Sequence, residues 1–108
     1  MSGRDSSSSS SAGPGYSSPC DALRFDSQLS SPQAPVVTTL KPGDVLDIAV
    51  VSMRGQVVVQ VLSHGQPAGG LTGPEASQLR NCIDQGHDFK ATVLSVNGGQ
   101  VKVHVEHA

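Results

Sequence analysis

Valine is the residue that most constrains how this chain folds, because fourteen valines lie between Val36 and Val105. Branched side chains restrict χ1 and pack well on a pleated surface, so they favour strands over helices. The clearest segment is 101–106, where apolar and polar residues alternate strictly and place the valines on one face. The sequence therefore predicts a β-rich fold with half-buried strands.

Turn residues divide this valine-rich region into two hairpins. Residues 97–100, Asn-Gly-Gly-Gln, separate a strand predicted over 89–96 from the last strand. Arg54-Gly55 separates strands predicted over 44–53 and 56–63. Closing the two turns predicts the cross-strand pairs Val96–Val101, Leu94–Val103, Thr92–Val105, Val50–Val59 and Ile48–Val61.

Two shorter strands are predicted outside the hairpins. Residues 22–29 alternate in polarity and predict a first strand, whereas 30–35, which contain two prolines, predict a loop. Residues 67–71 predict an edge strand, because Pro67 has no N–H to donate to a neighbouring strand. We expect Gly69-Gly70 within it to bend the strand or to let another backbone approach.

One helix is predicted over 73–85. Thr72 and Glu75 have the spacing of a capping box, apolar residues recur at helical spacing, and Gly86 lies where a left-handed residue ends a helix. The resulting order β-β-β-β-α-β-β predicts a mainly β (α+β) fold. We expect a small, half-open antiparallel β-barrel of five to six strands, with one helix between strands four and five.

The first nineteen residues differ from the rest of the chain. They contain nine serines, three glycines and two prolines, and they include the only tyrosine, Tyr16. Such a segment buries too little apolar surface to offset the entropy of ordering its backbone. We therefore expect a disordered Ser/Gly-rich tail over 1–19 and a single small domain over 20–108. With no apolar run of about 18–20 residues and no secretory signal, a soluble cytoplasmic protein is expected.

The two cysteines are 62 positions apart, which excludes a CxxC or zinc-knuckle motif. Cys82 falls on the apolar stripe of the predicted helix, so we expect it to be a buried, unreactive thiol. Cys20, at the edge of the tail, is expected to be accessible. A bond between the two stays open only if the first strand runs over the end of the helix.

The four histidines form no local catalytic arrangement. His64 and His87 occupy predicted turns, His104 lies on the polar side of the last strand, and His107 is expected in a frayed terminus. No sequence-local arrangement supplies a histidine that is fixed by a carboxylate and faces a nucleophile or metal, and the nucleophile-elbow, phosphate-loop and zincin motifs are absent. We expect surface histidines, no catalytic residues, no cofactor and no metal.

The charge balance disfavours extensive nucleic-acid binding. Seven basic residues face nine acidic ones and do not cluster, and only 3% of residues are aromatic. Modules that bind single strands combine a positive groove with stacking aromatic side chains. We expect any nucleic-acid binding to be weak and to be abolished by salt.

A series of strand, turn and helix motifs spans Arg54 to Val103, about half of the chain. A strand and the turn His64-Gly65 are followed by Gly70-Leu71, a helix with Glu75, Ala76 and Leu79, then Gly86, and a returning strand with Ala91 and Val93. This order resembles the HIRAN domain, a small SH3-like barrel associated with DNA-processing proteins. The resemblance implies a barrel fold, and it suggests weak nucleic-acid binding as an alternative function.

The sequence therefore predicts a non-enzymatic binding module for a protein partner. Small barrels bind through loops and open sheet edges, and no membrane association is expected. We expect a monomer or a weak dimer formed through the edge strand. The predicted binding surface comprises Arg54, His64, Gln66, Lys90, Asn97, Lys102 and His104.

Overall fold

Residues 19–108 are the part of the chain that the computed structural model describes. They form a six-stranded antiparallel sheet with three short helices. The tail predicted over 1–19, with Tyr16, lies outside the described residues except for Pro19, which begins the first helix. In chain order the elements are α1 (Pro19–Ala22), β1 (Arg24–Gln28), α2 (Ala34–Val37), β2 (Val45–Met53), β3 (Gln56–Ser63), β4 (Gln66–Leu71), α3 (Pro74–Asp84), β5 (Phe89–Asn97) and β6 (Gln100–His107).

The strands lie in the order β1-β6-β5-β2-β3-β4, and each neighbouring pair is antiparallel. The two outer strands meet at one point, because Ser30, just beyond β1, pairs with Gly70 in β4. One bridge is not a continuous ladder, so the sheet is not closed. The structure confirms the predicted mainly β class and the antiparallel sheet.

The hairpin of β2 and β3 has the predicted register. Val50 pairs with Val59 and Ile48 pairs with Val61. The two turn residues, Arg54 and Gly55, have positive φ angles of 52° and 78°. Positive φ at both central turn positions matches the right-handed twist of the flanking strands, which explains why the turn closes there.

The hairpin of β5 and β6 has the predicted turn but a different register. Val96 pairs with Val101 as predicted, yet the ladder shifts between Val93 and Ser95, so that Val93 and not Leu94 pairs with Val103. Val93 is consequently buried and Leu94 is 43% exposed. The predicted Leu94–Val103 and Thr92–Val105 pairs are wrong, because a β-bulge adds one residue to β5 and reverses the faces beyond it.

The described residues form three helices where the sequence predicted one: α3 corresponds to the helix predicted over 73–85, and α1 and α2 are additional. α1 precedes β1, and α2 forms at the end of the predicted loop over 30–35. Pro35 lies in the first turn of α2, where its missing N–H leaves no intrahelical bond unmade, and the following Val36 and Val37 are buried. The local pattern missed both helices because their contacts with the sheet, not their own propensity, stabilise them. None of the described helices is long and apolar enough to cross a membrane.

Helix α3 starts without the predicted capping box. Gly73 is the N-cap residue, with φ of 91°, and none of the described side chains caps the helix. Glycine reaches this conformation without steric cost, and the fixed φ of Pro74 suits the first helical position, so the chain enters the helix without Thr72. The predicted stop is confirmed, because Gly86 has φ of 99° and its N–H donates to the Ile83 carbonyl at 2.9 Å.

The core lies between the inner face of the sheet and the apolar side of α3, and small aliphatic side chains fill most of it. Phe89 is 6% exposed, whereas Phe25 only packs against the edge of the core. No polar or charged side chain is buried among the described residues. The largest fully buried side chains are Leu79, Val61, Val93, Val101, Val103 and Val105.

A disulfide joins Cys20 in α1 to Cys82 in the last turn of α3, with the two Cα atoms 5.5 Å apart. Both residues are buried, with exposed fractions of 5% and 6%. The predicted burial of Cys82 is confirmed, whereas the expectations of an accessible Cys20 and of a free thiol at Cys82 are wrong. The bond that the sequence left open forms because α1, which precedes the first strand, lies against the end of α3.

Candidate functional site

An apolar groove of about 470 Å³ lies between β3, the end of β4 and the first turns of α3. Val57 and Leu71 contribute apolar side chains from the strands, and Ala76 contributes one from the helix. Ser30 and Gln33, in the segment between β1 and α2, also line it. Its volume falls within the range of about 300–1,000 Å³ that is typical of ligand sites.

Two glycines determine how closely the walls of the groove approach. A Cβ atom on Gly69 would lie 2.9 Å from Leu29 Cβ and 3.0 Å from the Ser30 carbonyl oxygen. A Cβ atom on Gly70 would lie 3.1 Å from Ser30 Oγ. The prediction that Gly69-Gly70 allows another backbone to approach is confirmed, and the approaching segment is the one that follows β1.

Arg80 adds a positive charge to the groove. Its side chain belongs to α3, and the residue is half-buried. Within residues 19–108 no ion pair or hydrogen bond involves the Arg80 guanidinium. A guanidinium carries five N–H donors in a planar fork. The groove therefore offers a carboxylate-binding group beside an apolar floor.

The residues of the sequence-predicted surface do not form one patch. Arg54 and His64 lie in the turns at opposite ends of β3, whose eight residues extend over about 26 Å. Gln66 begins β4, and Asn97 ends β5. None of these four side chains lines the groove.

Lys90, Lys102 and His104 are brought together on the outer face of β5 and β6. They alternate with buried residues along their strands, which places them away from the core. Lys90 Nζ lies 3.8 Å from a carboxylate oxygen of Glu106. This face mixes charges of both signs, so it does not form the basic surface that phosphate backbones require.

His104 is held by two carboxylates on this outer face, Asp26 from β1 and Glu106 from its own strand. Its Nδ1 lies 2.7 Å from Asp26 Oδ1, and its Nε2 lies 3.1 Å from Glu106 Oε1. The hydrogen bond to Asp26 raises the pKa of His104 above the ordinary 6.5; burial of the ring opposes the rise, and Glu106 adds to it. The group is an exposed charge cluster on a sheet and not a cleft.

A second histidine cluster lies beyond the C-terminal end of α3, away from the groove at its first turns. His87 Nδ1 is 3.0 Å from His107 Nε2. Asp21 Oδ1 lies 3.7 Å from His87 Nδ1 and 3.4 Å from His107 Nε2. The three side chains come from α1, from the loop after α3 and from the end of β6. All three residue types are metal ligands, and their ligand atoms lie within 4.8 Å of one another.

Sequence reasoning missed this second cluster because its members are far apart in the chain. His107 was expected in a frayed terminus, but β6 includes it and pairs it with Phe89. Asp21 is held at the site because the neighbouring Cys20 is bonded to α3. No local spacing signals such a site, since the disulfide and the strand pairing bring the three residues together.

No family model, curated protein or solved structure matches this chain. The HIRAN-like resemblance therefore rests on the order of sequence motifs alone. The geometry of the groove and of the two histidine clusters carries the functional argument.

Proposed function

We propose that this protein is a non-enzymatic module that binds an extended segment of a protein partner in the groove between β4 and α3. The observation that carries the proposal is the Arg80 guanidinium, which lines an apolar groove without an ionic partner among the described residues. The complementary ligand is an aliphatic side chain next to a carboxylate. Burial stabilises the aliphatic group, and the carboxylate accepts two charge-assisted hydrogen bonds from the guanidinium.

Side-chain recognition is favoured over addition of a strand at β4. Gly70 exchanges two backbone hydrogen bonds with Ser30, and the Gln33 N–H donates to the Ala68 carbonyl at 2.9 Å. These bonds occupy backbone groups that an added strand needs. The same contacts support the finer part of the fold prediction, a half-open barrel, because they draw β1 and β4 together. We take the monomer as the binding unit.

Weak nucleic-acid binding, the alternative that the HIRAN-like resemblance suggests, stays a prediction. It receives less support, because Lys90 faces Glu106 and because His104 faces both Asp26 and Glu106. Carboxylates on that face repel phosphate groups. The groove therefore suits an acidic protein or peptide ligand, and this match is better than that of the outer face with a nucleic acid.

The disulfide also bears on where the protein works. Disulfides persist in oxidising compartments and are rare in the cytosol, where thiols are kept reduced. The buried Cys20–Cys82 bond therefore supports an oxidising environment in preference to the cytoplasm expected from the sequence. We include this location in the proposal.

The proposal is tested by selecting a random displayed peptide library on the full chain. We expect the enriched peptides to place Asp, Glu or a free carboxylate next to Leu, Ile or Val. Fluorescence anisotropy with one such labelled peptide then measures the binding affinity of each variant. Arg80→Gln should weaken binding about 10- to 100-fold, as the loss of a charge-assisted hydrogen bond predicts. Lys41→Gln, which removes a positive charge before β2 and outside the groove, should not.

Two exposed valines supply a matched pair for the apolar part of the groove. Val57 lines the groove and is 50% exposed, whereas Val45 is 62% exposed and lies outside the groove. Val57→Asp should abolish peptide binding, and Val45→Asp should leave it unchanged. The proposal is overturned if no peptide is enriched, or if the enriched peptides bind equally well to the Arg80 and Val57 variants. Salt-sensitive binding of labelled single-stranded DNA that depends on Lys90 and Lys102 would favour the alternative.

A further inference from the structure

The Asp21, His87 and His107 side chains place three ligand atoms in a compact triangle. The sides of the triangle measure 3.0, 3.4 and 3.7 Å between His87 Nδ1, His107 Nε2 and Asp21 Oδ1. In a tetrahedral zinc site with bonds of 2.0–2.1 Å, neighbouring ligand atoms lie about 3.3–3.4 Å apart. The observed separations bracket this value, so movements of a few tenths of an ångström suffice to place one ion at bonding distance from all three.

We propose that Asp21, His87 and His107 form a binding site for a divalent transition-metal ion, with zinc the first candidate. Two imidazole nitrogens and one carboxylate oxygen are borderline ligands that suit zinc and its neighbours better than calcium or magnesium. Three protein ligands leave the fourth tetrahedral position for water or an exchangeable ligand. The site is distinct from the peptide groove and does not depend on the function proposed above.

The second contact of His107 leaves the correct nitrogen available. Its Nδ1 donates to the main-chain oxygen of Ala108 at 3.0 Å, which directs the lone pair of Nε2 toward the cluster. Metal-bound histidines commonly donate their other ring N–H to a carbonyl or carboxylate in this way. The Phe89 ring packs edge-on against the His107 ring, with centroids 5.2 Å apart, and so holds its orientation.

His87 completes the arrangement through its Nδ1 atom. With Nε2 of His107 as the acceptor, the 3.0 Å contact makes Nδ1–H of His87 the donor. A metal ion that binds both nitrogens takes the place of this hydrogen, and His87 then carries its proton on Nε2. The two imidazole nitrogens and the Asp21 carboxylate supply three lone pairs to one cation.

The site is accessible to an ion from solvent. The side chains of His87, His107 and Asp21 are 24%, 30% and 47% exposed. A shallow cavity of about 250 Å³ adjoins Asp21 and His107, and Arg24 and Glu106 also line it. A small ligand of the ion therefore has room to bind at the open position.

The disulfide contributes to the site by fixing Asp21. Cys20 precedes Asp21 directly, and Cys82 lies five residues before His87, so the Cys20–Cys82 bond holds the two segments side by side. Without the bond, α1 retains few contacts that place Asp21 near the histidines. Metal affinity is therefore expected to fall when the disulfide is removed.

The test is calorimetric titration of the full, metal-free chain with zinc chloride, together with the visible spectrum of the cobalt(II)-loaded protein. We expect one zinc per chain and the intense absorption of a tetrahedral cobalt site. His107→Gln and His87→Gln should each weaken zinc binding more than about 100-fold, since each removes a ligand. His64→Gln, which changes a histidine in a distant turn, should bind zinc as the unmodified chain does, and circular dichroism verifies that each variant is folded.

Two results would overturn the metal site. One is the absence of stoichiometric zinc binding to the folded chain. The other is zinc binding that survives both His87→Gln and His107→Gln, because the ion then lies elsewhere. The Cys20→Ala/Cys82→Ala double variant, which offers no thiol to the metal, should bind zinc at least about tenfold more weakly; equal affinity would overturn the role assigned to the disulfide.

Discussion

Ser30 and Gly70 exchange two backbone hydrogen bonds of 2.8 Å, and these bonds connect the two outer strands of the sheet. The pairing is possible because Gly69 and Gly70 carry no side chain to separate the two segments. It also forms one wall of the groove that Arg80 lines. The contact that curves the sheet is therefore also the contact that shapes the proposed binding site.

Substitution of Gly69 tests this close approach. Gly69→Ala places a Cβ atom 2.9 Å from Leu29 Cβ, and Leu29 is a core residue that is 3% exposed. Overpacking of this kind costs about 1–3 kcal/mol in the free energy of unfolding, which urea denaturation measures. Gly70→Ala is the matched control and should cost less, because its closest contact, at 3.1 Å, is the rotatable Ser30 hydroxyl. Equal effects of the two substitutions would contradict the structure.

The bulge in β5 predicts opposite effects for two adjacent residues. Val93→Ala removes a side chain that is 1% exposed, so the free energy of unfolding should fall by roughly 1.5–3 kcal/mol. Leu94→Ala, at a position that is 43% exposed, should change it by less than about 0.5 kcal/mol. Thermal and urea unfolding of both variants measure the difference. A larger loss for Leu94 would restore the register predicted from the sequence.

The Cys20–Cys82 disulfide closes a loop between residues 62 positions apart. A cross-link of this length lowers the entropy of the unfolded chain, and the stabilisation predicted from loop length is about 4 kcal/mol. We expect the Cys20→Ala/Cys82→Ala double variant to unfold at correspondingly lower urea concentration. In the unmodified protein, alkylation without reductant should label neither cysteine. Labelling of both cysteines in the folded, unreduced chain would show that the bond is absent.

The charge cluster around His104 predicts a pH dependence of stability. The pKa of His104 is raised in the folded protein, chiefly by the hydrogen bond to Asp26, so the protonated ring stabilises the fold. This stabilisation is complete below the unfolded pKa of about 6.5 and is lost as the pH rises through the raised folded pKa. An NMR titration of the ring should give a pKa above 6.5. Asp26→Asn should lower that pKa more than Glu106→Gln does, and the reverse order would contradict the assignment.

The strands and the turns were predictable because their signals are local. In the β2–β3 hairpin, closing the Arg54-Gly55 turn determines the register, and the structure has the predicted Val50–Val59 pair. The same reasoning failed in the β5–β6 hairpin, where an additional residue at Leu94 reverses the faces. The sequence does not show where a bulge forms, because both residues at this one are apolar. Packing against the core selects Val93, and not Leu94, for burial.

The binding features were less predictable than the fold. Of the predicted surface, Lys90, Lys102 and His104 lie together on the outer face of β5 and β6, whereas the sheet topology places the Arg54 and His64 turns elsewhere. Arg80 was missed because a helical arginine is ordinarily a solvated charge. Its position beside an apolar groove follows from the packing of α3 against β4.

The mainly β class, the positions of the hairpin turns, the valine core and the stop of α3 at Gly86 follow from local sequence, because period-two alternation and glycine conformations act over a few residues. The Ser30–Gly70 contact, the Cys20–Cys82 bond and the approach of Asp21 to His87 and His107 depend instead on the three-dimensional fold. Those contacts join segments tens of residues apart. Their formation depends on how the sheet curves and how α1 folds over α3, and no local pattern encodes that geometry.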